Sequence, residues 1–161
     1  MPPGTGREPG AEDEALGRSR GGFTTKIHLR CEGYGKPVIF TVTGGQVHDT
    51  RQVSALISRG AIRRIGRGRP RLRPTKLVGD KAYSRRSLRL ALRRRGITPV
   101  IPTKANERRQ PDFDREAYRQ RNIIERLINR LKNFRRIATR YEKRAVNYLA
   151  MITLGAILLW I

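Results

Sequence analysis

Residues 114–141 read DREAYRQRNIIERLINRLKNFRRIATRY. Placed on a helix at about 100° per residue, Tyr118, Arg121, Glu125 and Lys132 fall within about 60° of one another. Ile124, Leu127, Ile128, Leu131 and Phe134 recur beside them at helical spacing and read as a face packed on a core. The spacing therefore predicts one long basic helix. It carries a lone carboxylate, Glu125, on a polar stripe with two cations and a phenol. The stripe has two readings: a carboxylate aimed into a basic cleft, or a salt bridge from Glu125 to Arg121 one turn back, which stabilises a surface helix by about 0.3–0.5 kcal/mol.

The chain around this stretch has 161 residues, enough for one domain with a core. Its net charge is +23, from 36 Lys and Arg against 13 Asp and Glu. Such an excess favours a polyanionic partner, nucleic acid before an anionic membrane surface. Arginine dominates and suits paired contacts with phosphate. Cys31 is the only cysteine, so an internal disulfide is excluded. One Cys and two His cannot build a structural zinc site. The first seventeen residues lack the apolar segment of a signal peptide. The apolar run 148–161 is shorter than the ~20 residues a bilayer core needs, so it reads as a buried helix.

Residues 1–20 are rich in Gly, Pro, Glu and Arg without periodicity, and read as a flexible arm before a single domain at 21–161. Residues 23–30 (FTTKIHLR) and 36–43 (KPVIFTVT) alternate and flank a glycine-containing turn, which predicts an antiparallel hairpin. A helix is expected over 51–58, with Asp49 or Thr50 as its cap. His48 beside Asp49 reads either as a catalytic pair or as a capping pair. Residues 60–76 crowd Arg63, Arg64, Arg67, Arg69, Arg71 and Arg73, are broken by Pro70 and Pro74, and hold no aromatics. That suits contact with a duplex backbone rather than base stacking, with a solvated loop as the alternative. A strand at 75–79, a helix from Ser84 or Ser87 to about Arg95 closed by Gly96, and a strand at 97–101 imply a parallel crossover. A last helix over 145–160 should cover the opposite side of the sheet. The fold class is α/β, a mixed sheet flanked by helices.

Asp80 follows a strand, where α/β sheets place their working groups, although a lone Asp there also caps turns. If Asp80 and Glu125 meet in a basic protein, a cation between them relieves their repulsion. Hard Mg²⁺ or Mn²⁺ suits oxygen ligands and phosphodiester chemistry.

The sequence resembles bacterial insertion-sequence transposases of the DDE type, in the insertion-sequence-five group. The match is carried by GRSRGGFTTKIHL at 17–29, TGGQVHD at 43–49, GDKAY at 79–83, PVIPTKAN at 99–106 and the tail from FRRIATRYEK to the end. The long helix carries that family's Tyr-Arg-Glu-Lys signature at Tyr118, Arg121, Glu125 and Lys132. The resemblance implies an RNase H-like fold whose three carboxylates bind two Mg²⁺ (or Mn²⁺) ions. Asp80 and Glu125 match the second and third carboxylates. Tyr118, Arg121 and Lys132 match DNA-contacting positions.

The resemblance also implies action on insertion-sequence ends and target DNA, as a homo-oligomer, in the nucleoid of the bacterial cytoplasm and not at a membrane. The family's first catalytic Asp, on its first strand, has no match. Asp13 sits among polar and glycine residues, and Asp49 matches no metal ligand. The expectation is thus a catalytic domain truncated at its N-terminus. It is either a downstream frame joined to an upstream polypeptide by frameshifting, or a decayed or late-started copy, binding DNA without cutting it efficiently. The alternative is a DNA-binding regulator or inactive remnant of the element.

Overall fold

The computed structural model describes residues 14–19, 22–62, 66–108 and 110–161. Asp13 lies outside them, as does the rest of the expected arm before Glu14. The hairpin forms where alternation predicts it: β2 (Gly22–Cys31) pairs antiparallel with β3 (Pro37–Gly44). Gly35 turns the chain at φ +83°, and a Cβ there would stand 2.8 Å from Cγ2 of Ile123. Glycine is thus required both by the backbone and by the helix laid against the turn.

A short strand, β1 (Gly17–Ser19), pairs with the start of β2, so ordered structure begins before the expected boundary at Gly21. β1 covers only Gly22 to Thr24 of that edge. Beyond Thr24, the outer edge of β2 has no strand partner among the described residues.

After a 3-10 turn at Asp49–Arg51 comes α1 (Val53–Arg59). β4 (Lys76–Val78), α2 (Arg86–Arg94) and β5 (Thr98–Val100) form the crossover, and β4 and β5 are parallel as expected. Gly96, at φ +72°, follows the end of α2, where a left-handed residue closes a helix. The single mixed sheet expected is not what forms. The strands make a three-stranded antiparallel sheet and a separate two-stranded parallel one. α1 bridges them: it touches β2 and β3, while Val53 and Ile57 pack with Leu92, Ile97 and Ile101 against Leu77.

The long helix is also corrected. Residues 114–141 divide into α3 (Arg115–Arg119), α4 (Asn122–Lys132) and α5 (Arg135–Ala138). At residues 120–124 the hydrogen bonds tighten to three-residue spacing, from Arg121 N to Tyr118 O (3.0 Å) and from Ile124 N to Arg121 O (3.1 Å). At Phe134 the backbone is extended, with ψ 104°. That break lets Phe134 and Ile137 seat on Gly155 of α6 (Ala145–Leu158), where a Cβ would meet them at 3.3 and 2.7 Å. Packing outweighs the helix propensity of the stretch.

α6 does not lie across the sheet from α4. Tyr148, Ile152 and Leu159 share one core with Leu127, Leu131 and Ile137, against Ile27, Leu29 and Phe40 of the hairpin. Ile124 and Phe134 join that core as expected, and Ile128 is half-buried outside it. The other hairpin face turns Arg30 toward α1, where its guanidinium donates to the carbonyls of Ile57 (3.4 Å) and Gly60 (2.5 Å). Arg140 ties the chain's two ends together. It donates to Ala15 O (3.3 Å) and Thr25 Oγ1 (2.5 Å) and lies over the Tyr148 ring at 5.2 Å.

Candidate active site and DNA-facing surface

Asp114 starts the signature stretch. Its Oδ1 accepts from Ala117 N (2.9 Å) and caps α3, and its Oδ2 pairs with Lys76 Nζ at 2.7 Å. The lysine beside it holds its carboxyl below the ordinary range, helped by the Ala117 amide. Through this pair the parallel sheet fixes where α3 begins.

One turn on, the Tyr118 ring packs on Phe113 at 5.4 Å. The tightened junction then places Arg121 between two signature residues. Its guanidinium stands 5.9 Å over the Tyr118 ring, and Nη1 is 2.6 Å from Glu125 Oε1. Tyr118, Arg121 and Glu125 are therefore contiguous. The Glu125 side chain is 52% exposed, so it faces solvent rather than the core. Lys132, exposed, stands two turns further along α4, about 10 Å by helical rise.

Asp80 follows β4. Its Oδ1 accepts from Ala82 N (2.9 Å), capping the 3-10 turn Lys81–Tyr83. That is the capping reading, and Oδ2 stays unbonded to protein among the described residues. His48 likewise caps: its Nδ1 accepts from Thr50 N at 3.3 Å and lies 2.9 Å from Thr50 Oγ1. That cap belongs to the 3-10 turn; α1 starts from Gln52 without a side-chain cap, so neither Asp49 nor Thr50 caps it as expected.

The structure adds residues the sequence did not single out. The turns carrying Asp49 and Asp80 touch each other. Burial pushes the Tyr83 phenol up to about 12, with the carboxylates of Asp49 and Asp80 adding to the shift. Asp49 pairs with Lys26 at 3.3 Å and faces Nδ1 of buried His28 at 3.9 Å. His28 Nε2 lies 2.7 Å from Thr43 Oγ1. Burial holds this imidazole below its usual range, partly offset by Asp49. His28 and Asp49 lie far apart in sequence, so only the fold reveals this neighbourhood.

Ser84, Arg89 and Glu107 form a second polar cluster. Arg89 is buried and donates to Ser84 Oγ (2.7 Å), the carbonyls of Ile101 (3.3 Å) and Pro102 (3.1 Å), and Glu107 (3.3 Å). It clamps the loop after β5. A cavity of about 470 Å³ between α2, β5 and residues 110–114 includes none of Asp80, Tyr118, Arg121, Glu125 or Lys132. Among the described residues, no three His, Cys, Asp or Glu side chains gather closely enough to hold a metal ion. No helix among them is long and apolar enough to cross a membrane.

Residues 5–161 match the model of the transposase DDE domain. The chain belongs to this family of DDE transposases. The chain is 33% identical over 135 residues to a protein of Burkholderia cepacia described as a transposase for insertion sequence element IS402. That match covers 84% of this chain and 62% of the relative, so the chain spans less than two thirds of that relative's length. It is 29% identical over 141 residues to a protein of Brucella ovis described as a transposase for insertion sequence element IS6501, covering 86% of this chain and 99% of the relative. No solved structure matches the chain at a significant level.

Proposed function

We propose that the chain is the catalytic part of an insertion-sequence transposase, acting on DNA by phosphodiester hydrolysis and strand transfer in the bacterial nucleoid. The observation that carries this is the contiguous row Tyr118, Arg121 and Glu125, with Lys132 on the same helix. In this reading Asp80 and Glu125 are two of the acidic ligands of the reaction centre. Arg121 orients Glu125 through one oxygen, leaving the other open. Arg121 and Lys132 also offer cations to the phosphates of an element end, and Tyr118 stacks under Arg121 at that surface.

Carboxylate oxygens are the donors that Mg²⁺ or Mn²⁺ takes. The described residues do not by themselves fit a two-ion centre, because no third acidic, His or Cys side chain stands with a pair of them. A further strand between the two sheets would give a third ligand its place. β2 beyond Thr24 and one edge of β4 are unpaired among the described residues, and α1 packs on both sheets. A strand laid between those edges would join them into one RNase H-like sheet. A carboxylate on it would stand beside the end of β4, next to Asp80. Such a strand would come from an upstream polypeptide or from another copy on DNA.

The test pairs cleavage with binding in the protein carrying that strand. Asp80→Ala and Glu125→Ala are each expected to lower cleavage at least about a thousandfold, with DNA affinity kept within about threefold. The 161-residue chain by itself should bind DNA and cut it poorly. That no third ligand stands there among the described residues favours one second reading, a DNA-binding regulator of the element. Full cleavage by either Ala variant would select against the catalytic reading.

A further inference from the structure

Between α1 and β4 the chain pairs with itself at one isolated bridge. Ile62 and Arg71 exchange two backbone hydrogen bonds, Ile62 N to Arg71 O at 2.9 Å and Arg71 N to Ile62 O at 2.7 Å. Residues 66–73, GRGRPRLR, are all exposed. We propose that residues 66–73 are an arm that enters the minor groove of A·T-rich duplex DNA. The inference rests on the DNA-binding part of the proposed function and adds a composition preference to it.

Three features of the arm carry the proposal. First, its tip is thin. Gly66 and Gly68 have φ of +102° and +135°, and a Cβ on Gly66 would have nothing within 4 Å. Pro70 has no N–H to give a neighbouring strand, so the tip cannot be absorbed into a sheet. Second, its cations are divided by task. Arg71 shapes the base, donating from Nε to Arg73 O (3.1 Å) and from Nη2 to Thr75 Oγ1. Arg67 and Arg69 show no hydrogen bond to protein and no ion pair among the described residues. Each guanidinium keeps five donors for a partner. Third, no acid competes nearby in sequence, since Asp80 is the only Asp or Glu from residue 50 to residue 106.

Groove dimensions choose the partner. The major groove is about 12 Å wide and takes a helix or a two-stranded ribbon. A single glycine-arginine strand fits the minor groove, about 6 Å wide, and fits best where A·T tracts narrow it further. Narrowing strengthens the negative potential that draws arginine in, and A·T pairs offer only acceptors on the groove floor. A G·C pair adds an amino donor there, which obstructs a guanidinium. The wide, shallow minor groove of A-form RNA would not grip so thin a tip. The arm has no aromatic residue with which to stack on a splayed base.

The experiment titrates the full 161-residue chain against three duplexes of equal length, read by fluorescence anisotropy. One is A·T-rich, one G·C-rich, and the third is the G·C duplex with inosine in place of guanosine. Inosine removes the minor-groove amino group and leaves the major-groove edge unchanged. The A·T and inosine duplexes are expected to bind at least about tenfold tighter than the G·C duplex. The variant R67A/R69A should bind all three equally, with an unchanged melting temperature. Equal binding of the A·T and G·C duplexes, an inosine duplex that follows G·C, or a preference intact in R67A/R69A would each overturn the proposal. D80A/E125A should keep the A·T preference whatever it does to cleavage, so the arm and the catalytic reading fail separately. A folded chain that binds no duplex at all would overturn both.

Discussion

Arg121 governs how Glu125 is presented. It holds one carboxylate oxygen at 2.6 Å and covers Tyr118 with its guanidinium plane. Glu125 is half-exposed, so the pair adds only about 0.3–0.5 kcal/mol to stability, and its value is orientation. Arg89 is the opposite case. It is buried and satisfies two carbonyls of the loop after β5 and the Ser84 hydroxyl ahead of α2. Arg89→Met should lower stability by about 2–4 kcal/mol in urea unfolding, because those acceptors lose their donor in a dry place. His28 makes stability depend on pH. Burial holds its folded pKa below the ordinary 6.5, so below that pH the unfolded chain binds a proton that the folded one refuses. Its contribution is complete above pH 6.5 and shrinks as pH falls through the window beneath it. Melting temperature should drop as pH falls below 6.5, and His28→Gln should flatten that slope. At this scale the sequence was informative about kind but not about neighbours. Asp80 capping a turn and Glu125 bonding Arg121 were both legible alternatives, since each partner lies within four residues. Asp49 facing His28 was not, because the two meet only through the fold of β2 and β3.

At the scale of elements, local pattern decided the outcome wherever one face was buried. The hairpin of β2 and β3 and the crossover from β4 through α2 to β5 form as their alternation and caps require. The break in the long helix was not legible. Neither Pro nor Gly marks it, and its cause is the seating of Phe134 and Ile137 on Gly155, one helix away. The side taken by α6 was equally hidden, because that helix is apolar nearly all round and its periodicity carries no direction. Three-residue β1 was too short to read against the polar composition of its surroundings. The packing account makes a signed prediction at Gly155. In an exposed helix, replacing glycine gains helix propensity, whereas Gly155→Val forces its branches into Phe134 and Ile137. A loss of about 1–3 kcal/mol is expected in thermal or chemical denaturation, and a gain would show that the contact does not bind α5 to α6.

At the scale of the molecule, two small sheets share one helix, α1, and leave edges of β2 and β4 unpaired among the described residues. Alternation indicated strands but not that they would divide between two sheets, since sheet membership depends on what lies between them. The proposed function gives that division a use: an added strand would bring a carboxylate to Asp80 as it closes the sheet. The central claim is that Asp80 and Glu125 serve one ion on the DNA-bound protein. Iron(II) put in place of magnesium, with ascorbate and peroxide, cuts the backbone beside the site that holds it. Mapped on the transposase bound to DNA, the account predicts cuts both around residues 78–83 and around residues 121–127, and their joint loss in Asp80→Asn. Cuts confined to one of these segments, cuts in the second that survive Asp80→Asn, or none at either while DNA stays bound would contradict it.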